Sequence, residues 1–295
     1  MTIPWLILPA LLLEACFYFL PSWPTFARRF SKLDHSLQAA LIWLSGMLPV
    51  IALNAAQGIV PADLSLLAVS LGLVCLWYLL LPHRPMADLL LLAILAAFIL
   101  LPWFEGLYPS PAGGPKLNAL TKLLWLRIGI AIFLFPRKWK VPGFGLWPNK
   151  RDWIVGTQQF LFFLVMLLPV GFYFKVLRLQ LPKVELWVLP FLTVATFFGV
   201  LLFVAFGEEF FFRGVLQETL IQGLGRWPGI LIASMAFGAV HLPFRSFPNW
   251  RFALLAAVAG IFYGLAFERA KSLRAAMVSH ALVVTVWTVL FARSL

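Results

Sequence analysis

Apolar runs of about 20 residues recur along nearly the whole chain, and a helix of that length is what crosses a bilayer. They occupy 3–20, 37–53, 64–81, 87–104, 117–135, 153–174, 186–221, 228–243, 252–268 and 274–292 of the 295 residues. Read this way, the chain is an all-α, polytopic transmembrane helical bundle of about ten spans. Composition agrees, since only 12% of residues are charged and 62% are hydrophobic, where a soluble domain carries roughly 25% charge. Mean hydropathy is +0.95. Too little polar surface remains to coat a water-soluble globule, and disordered, collagen-like and disulfide-scaffold classes fall with it.

Turn formers divide the runs. Asp63 stands where it can cap the third, and Pro82 and Pro102 mark the ends of the third and fourth. The stretch 109–115 (Pro-Ser-Pro-Ala-Gly-Gly-Pro) reads as a linker and 136–152 as a basic loop. The first run, from Ile3 to Leu13, has no basic segment before it and is followed by Glu14, so it reads as a retained span and not a cleaved signal. Cys16 and Cys75 lie inside apolar runs without metal-ligand spacing and read as buried, inert thiols.

The net charge of +12 could suggest nucleic acid. The basic residues instead cluster between spans, as at Arg28-Arg29, Arg137-Lys138 and Lys150-Arg151, where the positive-inside bias puts them. No nucleic-acid partner is therefore expected. One set of loops carries 13 Lys and Arg and the other set 7. That asymmetry places both termini outside the cytoplasm and the more basic loops within it. Run 117–135 contains Lys122, which can snorkel, and Arg127, which requires an acidic partner that the sequence does not identify.

Ionisable groups in hydrocarbon cost roughly 2.5–3.5 kcal/mol each on insertion scales, so their positions carry information. The run 207–214 (Gly-Glu-Glu-Phe-Phe-Phe-Arg-Gly) holds two carboxylates and a guanidinium, and two later runs hold His241 and His280. Glu209 and Arg213 share a helix face at i,i+4 with the acid first, the favoured order for an ion pair. Glu208 points about 100° away. One carboxylate is thus placed to be held by the arginine, and its neighbour to serve as a general base. Rise per residue permits Glu208, His241 and His280 to meet in the cytoplasmic half of the bundle. Glu14 reads as a polar contact and not a catalytic group.

The series Glu208-Glu209-x-x-x-Arg213, then Phe237-x-x-x-His241, then His280 two runs later, resembles the motifs of the CAAX prenyl protease 2-like family of intramembrane proteases, also called CPBP or Abi. The resemblance divides the chain into a four-span extension, 1–116, and a protease-like core, 117–295. It implies hydrolysis of a peptide bond in a membrane-anchored or prenylated tail by glutamate-activated water. On that reading Glu208 and His241 polarise the water and His280 helps stabilise the oxyanion, while Glu209 and Arg213 support them. The family continues with Asn or Asp four residues after the last histidine. Here that position is Val284, with Thr285 and Thr288 as the nearby hydroxyls. The implied setting is the cytoplasmic (inner) membrane, with the site nearer the cytoplasmic face.

Two other readings stand beside this one. Glu208, His241 and His280 could form a carboxylate and two-histidine zinc site, although no His-Glu-x-x-His is present. A non-catalytic scaffold or immunity-type protein of the same fold is the other. No cofactor is expected, because the sequence has neither a phosphate-binding glycine loop nor a cysteine-rich cluster. The expected partners are the bilayer and a membrane-anchored protein or peptide.

Overall fold

Inside a bilayer every backbone N–H and C=O must be satisfied within the protein, and an apolar segment meets that demand as a helix. A computed structural model describes residues 4–57, 63–110, 117–173, 184–244 and 247–291, and its regular elements are helical throughout. It is a helical membrane bundle. The chain forms two compact units, Met1–Lys140 and Val141–Leu295. The helix that follows residue 117 packs within the first unit.

In the first unit α1 (Pro4–Phe19) meets α2 (Pro24–Phe30) at a bend, followed by α3 (His35–Gln57), α4 (Leu64–Cys75), α5 (Trp77–Leu80), α6 (Pro85–Leu100) and α7 (Asn118–Leu134). Pro24 and Pro85 open their helices, where a missing N–H costs nothing. Asp63 does stand at the N-cap of α4, but its side chain makes no capping bond. Cys75 is buried as expected, whereas Cys16 is exposed on α1. Trp125 of α7 is fully buried, with its ring 4.4 Å from Phe98 and 5.1 Å from Phe104.

The acid that Arg127 requires is Glu14. The two side chains are buried, with Arg127 Nε 2.5 Å from Glu14 Oε2 and Nη2 3.1 Å from Oε1. The Tyr108 hydroxyl donates to the same carboxylate, and Arg127 also donates to the Ser45 carbonyl at 2.8 Å. Lys122, one turn away, is exposed.

The second unit contains α8 (Lys150–Tyr173), the long α9 (Val188–Leu224), α10 (Arg226–Ala239), α11 (Trp250–Ala270) and α12 (Leu273–Leu290). Asn149 and Asp152 cap α8 reciprocally, each side chain accepting from the other's backbone N–H at 2.9–3.0 Å. Helices α10, α11 and α12 follow one another around α9, and α8 packs on α11 and α12. Small residues set the spacing. A Cβ on Gly238 would stand 2.5 Å from the Ala253 carbonyl oxygen, and one on Gly156 2.7 Å from that of Ala275. These are the close backbone approaches that membrane helices use to gain packing.

Ten spans were expected, and five helices among the described residues are long and apolar enough to cross: α3, α8, α9, α11 and α12. The bent pair α1 and α2 makes a sixth if counted as one. Helices α4, α6 and α10 have 12, 16 and 14 residues, short of the usual length of a crossing, and α7, at 17, is at its lower limit. Helix α9, at 37 residues, exceeds it. Of the residues counted for orientation, Lys116, Lys175, Arg178, Lys183, Arg245 and Arg293 lie outside the described set, as does most of the 109–115 linker.

Glu14→Gln or Arg127→Met alone leaves a buried charge without its counter-ion and should lower stability by about 3–5 kcal/mol. The double variant Glu14→Gln/Arg127→Met should recover much of that loss. Unfolding in detergent across the four-variant cycle measures the coupling.

Candidate active site

The centre of α9 departs from α-helical winding. Val200–Ala205 and Phe210–Gln217 are π-helical, with Phe206–Glu209 between them. Such i→i+5 turns widen a helix and recur at functional sites. The two glutamates sit at the junction, and their side chains diverge as the sequence spacing requires.

Glu209 is fully buried, hydrogen-bonded through one oxygen and in ion-pair range of a guanidinium through the other. Its Oε1 lies 2.7 Å from His280 Nδ1, and its Oε2 lies 3.1 Å from Arg213 Nε. Arg213 is fully buried as well, and none of its nitrogens makes a hydrogen bond of good geometry. Aromatic faces surround the guanidinium instead, with Phe237 at 4.9 Å, Tyr263 at 5.7 Å and Phe212 at 5.8 Å from its carbon. Their negative ring faces take part of the role of the lost water.

Glu208 has the opposite environment. Its side chain is 28% exposed, and the buried Oε2 has no hydrogen-bond partner. The nearest basic group is His280 Nε2 at 3.9 Å, too far for a hydrogen bond. Because His280 Nδ1 donates to Glu209, neutral His280 carries its lone pair on Nε2, on the side of Glu208. Two acceptors thus face one another across a gap of a few ångströms.

His280 lies on α12 and is packed flat against Tyr263 of α11, ring centroids 4.6 Å apart and planes 9° apart. His241 does not lie within a helix, as the expected run 228–243 implied, because α10 ends at Ala239. It occupies the turn beyond, where Nδ1 donates to the Phe237 carbonyl at 2.7 Å and satisfies an otherwise open helix-end acceptor. Its Nε2 is left free of that bond, and its ring is half-buried. The Phe237 ring touches both imidazoles, at 4.7 Å from His241 and 5.7 Å from His280.

Tyr263 escapes the sequence reading, which treats α11 as a span between motifs. Its signal is Gly260-x-x-x-Gly264 on either side. A Cβ on Gly260 would meet Ser234 at 3.2 Å and Arg213 at 3.4 Å, and one on Gly264 would meet Gln217 Oε1 at 2.5 Å. The two glycines let α11 pack closely on α10 and on the Arg213 and Gln217 side chains of α9. At the departure position, Val284 is half-buried, Thr285 is buried with its hydroxyl unbonded, and Thr288 is half-buried. Among the described residues no group of three or more His, Cys, Asp or Glu is arranged to hold a metal ion.

The segment that carries all of these groups has a counterpart among known families. Residues 190–286 match the family described as Type II CAAX prenyl endopeptidase Rce1-like. That segment is similar to the Rce1-like family. The match covers about a third of the chain, narrower than the expected 117–295, and it includes Glu208, Glu209, Arg213, His241, Tyr263 and His280. No curated relative and no solved structure matches the chain.

Tyr263→Phe keeps the ring on His280 and should change stability little. Tyr263→Ala removes a fully packed ring from beside two charged groups and should cost about 3–5 kcal/mol. Thermal and denaturant unfolding of the detergent-solubilised variants distinguish the two.

Proposed function

We propose that this chain is an intramembrane endopeptidase that hydrolyses a peptide bond in a membrane-anchored or prenylated protein tail, with Glu208 as the general base. The observation that carries the reading is the unequal treatment of two adjacent carboxylates. Glu209 is fully buried, hydrogen-bonded to His280 and ion-paired with Arg213 at 3.1 Å, whereas Glu208 is 28% exposed, has no Lys or Arg partner among the described residues, and faces His280 Nε2 at 3.9 Å.

One water fits such a gap with hydrogen bonds of about 2.8 Å to either side. Donating one hydrogen to the carboxylate and the other to the imidazole, it keeps its own lone pairs for attack. As the water oxygen bonds to the peptide carbonyl carbon, Glu208 takes the proton and the carbonyl oxygen becomes an oxyanion. The glutamic acid then returns that proton to the amide nitrogen as the C–N bond breaks. A base in this position contributes typically 10²–10⁴-fold.

The 3.9 Å approach favours His280 as the partner that holds the water, a task the family resemblance gives to His241. His241, with Nε2 free and its ring half-buried, is then the group available to the oxyanion. For that it must carry a proton on Nε2, since an oxyanion needs a donor. Glu209 steadies His280 much as a buried carboxylate orients the histidine of a catalytic triad. Arg213 acts through Glu209 and is a positioning residue.

The asymmetry of Lys and Arg between loops supports a cytoplasmic-membrane protein with its site nearer the cytoplasmic face. A scaffold of this fold would have no need to leave a glutamate without a Lys or Arg partner among the described residues and 3.9 Å from an imidazole nitrogen.

Purified wild type should cleave within a panel of C-terminally membrane-anchored reporters, prenylated and unprenylated, and Glu208→Gln should reduce the rate by about 10²–10⁴-fold. Strong chelation should leave the rate unchanged. Equal cleavage by both forms would overturn the mechanism, and loss of activity to the chelator would assign it to a bound metal.

A further inference from the structure

In the first unit a crevice of about 420 Å³ runs between α2, α3 and α7. Its walls are apolar, with Phe26 and Phe30 stacked at 5.2 Å on one side, Leu44 and Leu48 of α3 on another, and Ala131 of α7 behind. Two cations border it, Arg127 and Arg29. Arg127 is neutralised by Glu14 and tied to Ser45, so it offers no net charge to a ligand. Arg29 is exposed and forms no ion pair among the described residues.

We propose that this crevice holds one acyl chain of an anionic membrane phospholipid, with the lipid phosphate on Arg29. The volume lies within the range of small-molecule sites. The wall chemistry fits a hydrocarbon chain, and Arg29, the lining cation without an ion-pair partner among the described residues, fits an anionic group. A free phosphate would gain one exposed arginine and nothing from the phenylalanines.

A second observation places the rim at lipid headgroup level. Helix α2 turns 82° from α1 and presents Phe26 and Phe30 to the crevice, while Trp23, Arg28, Arg29 and Lys32 are exposed around it. An apolar inner face with tryptophan and basic residues outside is the pattern of an interfacial helix. The basic cluster selects anionic over zwitterionic headgroups. On α3, Leu41, Leu44 and Leu48 line the crevice and are themselves exposed, so it opens sideways and a chain can enter from the bilayer.

The test uses the full chain reconstituted in bilayer discs doped with phosphatidylglycerol carrying a photoreactive diazirine in one acyl chain. After irradiation, labelled residues are mapped by mass spectrometry. Labelling around Leu44, Leu48 and Ala131 should exceed labelling at Leu73, an exposed leucine on α4 outside the crevice. Arg29→Glu should lower crevice labelling roughly fivefold or more at an unchanged melting temperature, and Leu48→Trp should lower it by filling the space. Labelling spread evenly between the crevice and Leu73 would overturn the proposal. So would labelling indifferent to Arg29→Glu, or an equal yield from a phosphatidylcholine probe.

Discussion

The second unit is organised around a buried cation. Arg213 has no access to water, and stripping a guanidinium of solvent costs several kcal/mol unless charge and polarisable surface replace it. Glu209 supplies the charge, and Phe212, Phe237 and Tyr263 supply the surface. Once Glu209 is committed to Arg213, its other oxygen fixes His280, and Tyr263 holds the same imidazole flat. Glu208 is adjacent in sequence but points elsewhere, and nothing of opposite charge is left for it. Its lack of a counter-ion follows from helix geometry and from the demand of one arginine.

Two local features let that arrangement exist on membrane helices. The π-helical turns on either side of the glutamates widen α9 where it carries its ionisable groups. Glycines bring the neighbouring helices within backbone contact, so that side chains from α9, α10, α11 and α12 converge. Gly238 and Gly260 seat α10 and α11 on one another, and Gly264 makes room for Gln217 of α9. The first unit solves the same physical problem differently. There Glu14 and Arg127 pair with two bonds, and Tyr108 and Ser45 complete the set, so its buried charges are matched.

Much of this was legible in the sequence, and the misses share a cause. Spacing alone placed Glu209 with Arg213 and turned Glu208 away, because i,i+4 geometry is local. Apolar runs identified helices, five of which among the described residues are long and apolar enough to cross. Hydropathy counts side chains, while a turn such as the one that ends α10 at Ala239 depends on packing and on the His241 ring taking the Phe237 carbonyl. The partner of Arg127 was invisible because Glu14 lies 113 residues away. Tyr263 was missed because a stacked ring leaves no mark in the chain except the two glycines beside it. The π-helical turns had no sequence signal that we recognise.

The division of labour between the two glutamates is tested most directly by their separate effects on stability. Glu209→Gln should destabilise the protein by about 3–5 kcal/mol, since it strands Arg213 in a dry interior. Glu208→Gln should leave the unfolding transition in detergent near that of wild type. If both substitutions cost the same, or if Glu208→Gln is the more damaging, Glu208 is a structural group and not one left free for chemistry.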